Sequence, residues 1–161
     1  MSLKVFTFVI AALALAGCSA SGPIFKQYTP QKSDSAILYI YRPQKTVNCC
    51  VAPAVYIDGA TQHALKNGGY HVYELPAGNY EVIVGDGSYG FTAESIELKL
   101  EQSNHYYLKW NIGPIENLSA VITGAILGGA TSGQREYNLV QMDPATAKQE
   151  ISSLKLSMPQ P

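Results

Sequence analysis

Three cysteines and three histidines are the side chains of this 161-residue chain best suited to forming bonds or holding a metal. His63, His71 and His105 lie in separate segments. None is spaced from another ligand as HxxxH or CxxC, the patterns that present donors on one face, so no metal site is expected. The chain has no GxSxG turn to expose a nucleophilic serine and no Walker glycine loop, and its carboxylates are spread out rather than paired. No catalytic residue and no cofactor follow, although a triad assembled from distant residues leaves no mark in a linear sequence. Cys49 and Cys50 are adjacent. A trans peptide holds neighbouring Cα atoms about 3.8 Å apart, below the usual disulfide range, so a bond between them would be strained and suited to a redox or partner switch. Two unbonded, partly buried thiols without a role, or a bridge to a second molecule, are the other readings.

Cys18 stands in a different setting. Lys4 precedes an apolar run from Val5 to Leu15, and Ala16 and Gly17 lead into the cysteine. A basic start, an apolar stretch and small residues before a cleavage point make a secretory signal. The run is too short to span a bilayer, which takes roughly 20 apolar residues. Leu15 Ala16 Gly17 Cys18 also resembles the lipobox of bacterial lipoproteins. That resemblance implies cleavage after Gly17, a diacylglycerol thioether on Cys18 and an acyl chain such as palmitate on the new amino terminus. Ser19, where an Asp would retain such a lipoprotein in the inner membrane, implies the outer membrane of the cell envelope in a Gram-negative source, the periplasmic face being favoured over the surface. Two or three chains make such an anchor durable, since each buried methylene contributes about 0.8 kcal/mol. The alternative is an ordinary signal peptide with an incidental cysteine.

The elements that position these residues follow from patterning. Residues 1–17 form the signal, 18–35 a lipidated start and flexible linker rich in Ser, Gly, Pro, Gln and Lys, 36–156 one domain and 157–161 a tail. Fully extended, the roughly 17 linker residues would reach on the order of 55 Å. Ile24, Phe25 and Tyr28 interrupt the linker's polar character, and lie either on the membrane interface or against the domain. Ala36–Arg42 is apolar on both alternating faces, as an inner strand must be, and Pro43 ends it. Val55–Asp58, a short segment at Gln62–Leu65, Tyr70–Leu75 and Tyr80–Val84 form a meander cut by Asp58-Gly59, Asn67-Gly68-Gly69 and Pro76-Ala77-Gly78-Asn79. Ser95–Leu100 alternates with Ile96, Leu98 and Leu100 inward. His105–Ile112 puts Tyr106, Leu108, Trp110 and Ile112 on one face and Tyr107 on the other, and Glu136–Met142 adds a strand. Asp143 as N-cap, Pro144 in the first turn and an apolar stripe of Ala147, Ile151 and Leu154 predict a closing helix. The fold class is therefore all-β and mainly antiparallel: a single β-sandwich of about seven or eight strands with a C-terminal helix.

With 11 basic and 12 acidic residues scattered along the chain, no basic stripe exists to track phosphates, so nucleic acid is not an expected partner. The 11 tyrosines against four phenylalanines suit half-buried strand faces. Leu118–Leu127, bracketed by glycines, is apolar or small throughout but too short to cross a bilayer. It is either a buried element on the sandwich or a loop touching lipid or a partner through Leu118, Val121, Ile122, Ile126 and Leu127. Its lone GxxxG, Gly124 to Gly128, is weak support for helix pairing.

Tyr41-Arg42-Pro43, Val55 to Gly59, Leu65 to Tyr70 and Glu74 to Gly78 together resemble a family of small bacterial lipoprotein domains, the DUF2846 type, over about Ala36 to Leu156. The Leu-Pro-Ala-Gly link between strands is also similar to PEGA and transthyretin-like sandwiches, which implies protein or carbohydrate contact at the surface. The resemblance brings no catalytic residue. The leading expectation is a noncatalytic envelope module binding another envelope protein, with the 118–127 loop and Tyr107 as contact candidates. A glycan-binding module for peptidoglycan or lipopolysaccharide is the second, weakened because the alternation predicts Trp110 to be buried. An enzyme is the third, and would need a cleft gathering His with Asp or Glu.

Overall fold

The computed structural model describes residues 19–46, 49–85, 92–115 and 135–157. Its centre is β1 (Ser35–Arg42), buried at every position. β4 (Gly69–Pro76) pairs with it antiparallel, and β7 (His105–Ile115) pairs with it in parallel on the other side. β8 (Arg135–Gln141) and the two-residue β9 (Lys155–Leu156) complete a five-stranded sheet in the order β8-β7-β1-β4-β9. The second sheet has the order β3-β2-β5-β6, from β2 (Val55–Ile57), β3 (Ala60–Thr61), β5 (Gly78–Val84) and β6 (Glu94–Leu100). β2 and β3 join through Asp58 and Gly59, both at positive φ, the twist that a two-residue hairpin requires.

β1 is apolar on both faces because each face meets a core. Ala36, Leu38 and Ile40 point between the sheets, where they meet Val82, Val84, Leu98, Leu100, Leu108 and Trp110. Ile37, Tyr39 and Tyr41 point the other way into a second core with Tyr70, Tyr107, Ala147, Ile151 and Leu154. The lid of that second core is α1 (Pro144–Ile151). Asp143 caps it by accepting from the Ala145 and Thr146 amides at 3.0 and 3.2 Å, and the Thr146 hydroxyl first, then these amides, hold its carboxyl below the usual range. Glu150 pins the helix to the sheet by accepting from Tyr41 Oη at 2.8 Å and Lys109 Nζ at 2.7 Å.

The sandwich and its closing helix match the sequence expectation, with corrections. The five-stranded sheet is mixed, since β1/β7 and β4/β9 are parallel. The short segment expected at Gln62–Leu65 is instead a strand at Ala60–Thr61, and Leu154 lies beyond the helix.

The expected flexible linker is the largest correction. Ser19 forms a parallel bridge with Asn67, and Ile24 an antiparallel one with Lys155. The Ala20 amide donates to the Asn67 carbonyl, Gly22 to Leu156 and Phe25 to Leu154, at 2.9–3.0 Å. The Phe25 ring stands edge-on to Tyr39 and Tyr70, 5.4 and 5.3 Å between centroids. Residues 19–34 are thus a strap laid along β9 and across the second core. Ser, Gly and Pro signal coil only when nothing distant offers the backbone a partner, and here the far C-terminus does.

Candidate functional site

The strap begins in a seat built from Asn67, Gly68 and Gly69, the turn that leads into β4. Asn67 is 2% exposed, and its side-chain amide grips one residue twice, accepting from the Lys45 amide at 2.9 Å and donating to the Lys45 carbonyl at 2.8 Å. Gly68 has φ +65°, a conformation that side chains other than Asn rarely adopt. Its carbonyl accepts from the Lys155 amide at 3.1 Å, while the Lys66 amide donates to Ser157 Oγ at 3.2 Å. A Cβ on Gly69 would run into Ser157 Oγ, the Lys66 carbonyl at 2.8 Å and Ala20 Cβ at 2.9 Å. Glycine is needed there because the strap and the C-terminus close on that backbone. Lys45, Lys66 and Lys155 therefore surround the point where the N-terminal chain arrives.

At its other end the strap is held by Glu74. Its carboxylate accepts from Ser35 Oγ at 2.7 Å, the Gln31 and Lys32 amides at 2.8 Å each and Tyr28 Oη at 3.1 Å. The Ser35 hydroxyl is the main reason its carboxyl sits below the usual range.

The adjacent thiols are free, Cys49 half-buried and Cys50 exposed, with the sulfurs 3.5 Å apart. The hydrogen bond between them pushes the Cys49 thiol up. Their turn is tied to the core by Arg42, which donates to the Val51 carbonyl and lies over the Trp110 ring, 5.2 Å from its centroid. Burial lowers the Arg42 guanidinium to about 10, still charged at neutral pH.

Tyr107, a contact candidate, is corrected: it is fully buried, stacked on Tyr39 at 4.9 Å beneath the strap and helix. Alternation separates the two faces of a strand but does not reveal that a later helix covers the second one. Trp110 is fully buried, as its alternation predicts, and stacks on Tyr137. Cys18, Leu118, Val121, Ile122, Ile126 and Leu127 lie outside the described residues. His71 is buried, with its Nε2 3.0 Å from the Ala64 carbonyl and its ring 6.0 Å from that of His63. Among the described residues no three His, Cys, Asp or Glu side chains group as metal ligands, and no helix is long and apolar enough to cross a membrane. A shallow depression of about 530 Å³ on β5–β6, lined by Asn79, Tyr80, Glu81, Glu97, Leu98 and Lys99, contains no nucleophile paired with a base.

Asn67 and Gly69 were legible in the sequence only as turn residues. Ser157 and Glu74 gave no signal, because their partners lie 91 and 39–46 positions away.

Fold and site together define a small two-sheet β-sandwich with a strapped N-terminus. The model of a family described as "Protein of unknown function (DUF2846)" matches residues 32–124, and the chain belongs to that family. No curated protein matches the chain.

Proposed function

We propose that this protein is a lipid-anchored, noncatalytic interaction module of the bacterial cell envelope, attached through Cys18 at the periplasmic face of the outer membrane and binding another envelope protein. The observation that carries the reading is the seat at Asn67: the residue following the lipobox-like cysteine is already paired to the fold. A processed chain beginning at Cys18 would keep every residue described in the domain. Leu118–Leu127 supplies the contact. The described strand ends that flank it in sequence, Ile115 of β7 and Arg135 of β8, face each other in register. Because β7 runs parallel to β1 and continues past Lys109, the partner of Tyr41, this happens at the same end of the sandwich as the seat. That supports a role for Leu118, Val121, Ile122, Ile126 and Leu127 close to the membrane, against lipid or a membrane-bound partner. The glycan alternative has less support, since Trp110, Tyr39, Tyr41 and Tyr107 are interior and offer sugars no platform.

The test is intact-mass analysis of the protein expressed with its own N-terminus, beside Cys18→Ala, followed by in-cell photo-crosslinking from positions 118–127. A mature chain starting at a Cys18 that carries the diacylglycerol thioether and an acyl chain on its amino terminus, with a discrete protein adduct, is the expected result. An unmodified Cys18 removes the anchor, and adducts confined to glycan move the assignment to the alternative.

A further inference from the structure

We infer that the end of the domain carrying Ile24, Lys45, Lys66 and Lys155 lies directly on an anionic lipid surface, held there in a fixed orientation by the docked N-terminus. This rests on the lipid-anchor reading and adds to it which end meets the membrane, at what standoff and against what headgroup chemistry.

The first argument is slack. If residues 19–35 were a free leash, the domain could sit on the order of 55 Å from the bilayer and turn freely. Instead Ser19 is bridged to Asn67, Ala20 is 6% exposed and each stretch of the strap down to Lys32 is hydrogen-bonded to the domain. Consecutive Cα atoms are about 3.8 Å apart, so an acyl group on Cys18 attaches one residue from the seat.

The second argument is what surrounds the seat. Lys45 and Lys155 are exposed and Lys66 half-buried, and the backbones of all three are hydrogen-bonded to the seat or to Ser157 beside it. The carboxylates described nearby are Glu150, which Lys109 and Tyr41 engage and which also feels the charge of Lys45, and Glu94, across the sandwich on β6. Lysines held beside a lipid attachment point meet anionic headgroups, a favourable pairing that salt screens. Ile24, bridged to Lys155, is 57% exposed, more than any other large apolar side chain among the described residues. An apolar side chain beside lysines is the amphipathic pattern of an interfacial contact. The opposite end, with Ala77 and Gln102 in the turns before β5 and before β7, is where β1 begins.

The experiment uses full-length lipidated protein purified from cells, with Cys18 modification checked by mass. A benzophenone side chain is introduced singly at Ile24, Lys155, Ala77 or Gln102. The protein is reconstituted into phosphatidylcholine vesicles with or without phosphatidylglycerol and irradiated. Phospholipid adducts confined to positions 24 and 155 are expected, and the triple Lys45→Gln, Lys66→Gln, Lys155→Gln variant should lower the position-24 yield severalfold only when phosphatidylglycerol is present. Equal adducts from both ends of a lipidated protein would overturn the fixed orientation. A yield indifferent to phosphatidylglycerol and to the triple variant would overturn the anionic-lipid assignment. An unlipidated Cys18 would instead sink the anchor reading itself, a result the mass alone identifies.

Discussion

The side-chain amide of Asn67 closes a two-bond ring with the backbone of Lys45, 2.9 Å at its oxygen and 2.8 Å at its nitrogen, while its own carbonyl receives the Ala20 amide at 3.0 Å. One residue joins the loop after β1, the entry to β4 and the arriving N-terminus. Asn67→Ala leaves the Lys45 groups without these partners, and should cost about 1–3 kcal/mol, a loss of several degrees in Tm. Urea melts of the two proteins check it, and an unchanged midpoint would show the ring to be dispensable.

Glu74 gives the strap a pH dependence of known sign. Its folded-state pKa is depressed because Ser35, the Lys32 and Gln31 amides and Tyr28 bond the ionised form. The contribution is therefore present above the unfolded carboxylate value, about 4.3, and lost as pH falls through the lower folded value. Protection factors of residues 25–32, exchange rates divided into the intrinsic rate at each pH, should be high and flat from neutral pH down to about 5, then fall below about 4. Glu74→Gln should show low protection throughout; protection equal to wild type at neutral pH would rule out the clamp.

Gly69→Ala tests the closeness of strap, turn and C-terminus. The added carbon meets Ser157 Oγ, the Lys66 carbonyl and Ala20, of which the carbonyl is backbone and cannot rotate away. The expected cost is about 1–3 kcal/mol, with loosening of residues 19–22 and 155–157 ahead of the rest. Exchange mass spectrometry would reveal whether that order holds.

Tyr107→Phe separates a core role from a contact role. The hydroxyl is buried without a hydrogen-bond partner among the described residues, and burial pushes it up to about 12. Removing it should leave stability within about 0.5 kcal/mol of wild type or raise it, whereas Tyr107→Ala should cost about 3–5 kcal/mol. A marked loss of partner crosslinking in the stable Phe variant would return Tyr107 to the list of contacts.

Cys49 and Cys50 should act as one bidentate site for a thiophilic reagent. Two bonds of about 2.3 Å to one pyramidal three-coordinate arsenic, at an angle of roughly 100°, place sulfurs roughly 3.5 Å apart, which matches the 3.5 Å observed. One equivalent of a monosubstituted arsenical should block both thiols, with loss of both thiol protons as water, while Cys49→Ser retains a single weak site. Thiol counting after titration decides, and two equivalents consumed would mean the sulfurs do not converge.

Much of the architecture is local chemistry, which is why the sequence alone carried it. The Asp58-Gly59 hairpin, the alternation of Ile96, Leu98 and Leu100, the doubly apolar β1 and the Asp143-Pro144 helix start each rest on residues a few positions apart. Tertiary structure alone decided that β1 and β7 run parallel, that Tyr107 lies beneath a helix and that a Ser- and Pro-rich stretch is a packed strap. Those outcomes depend on which distant backbone amide or aromatic ring is present to receive each group. Ser19 meets Asn67, Phe25 meets Tyr39 and Tyr70, and Tyr28 meets Glu74, pairings between residues far apart in the sequence.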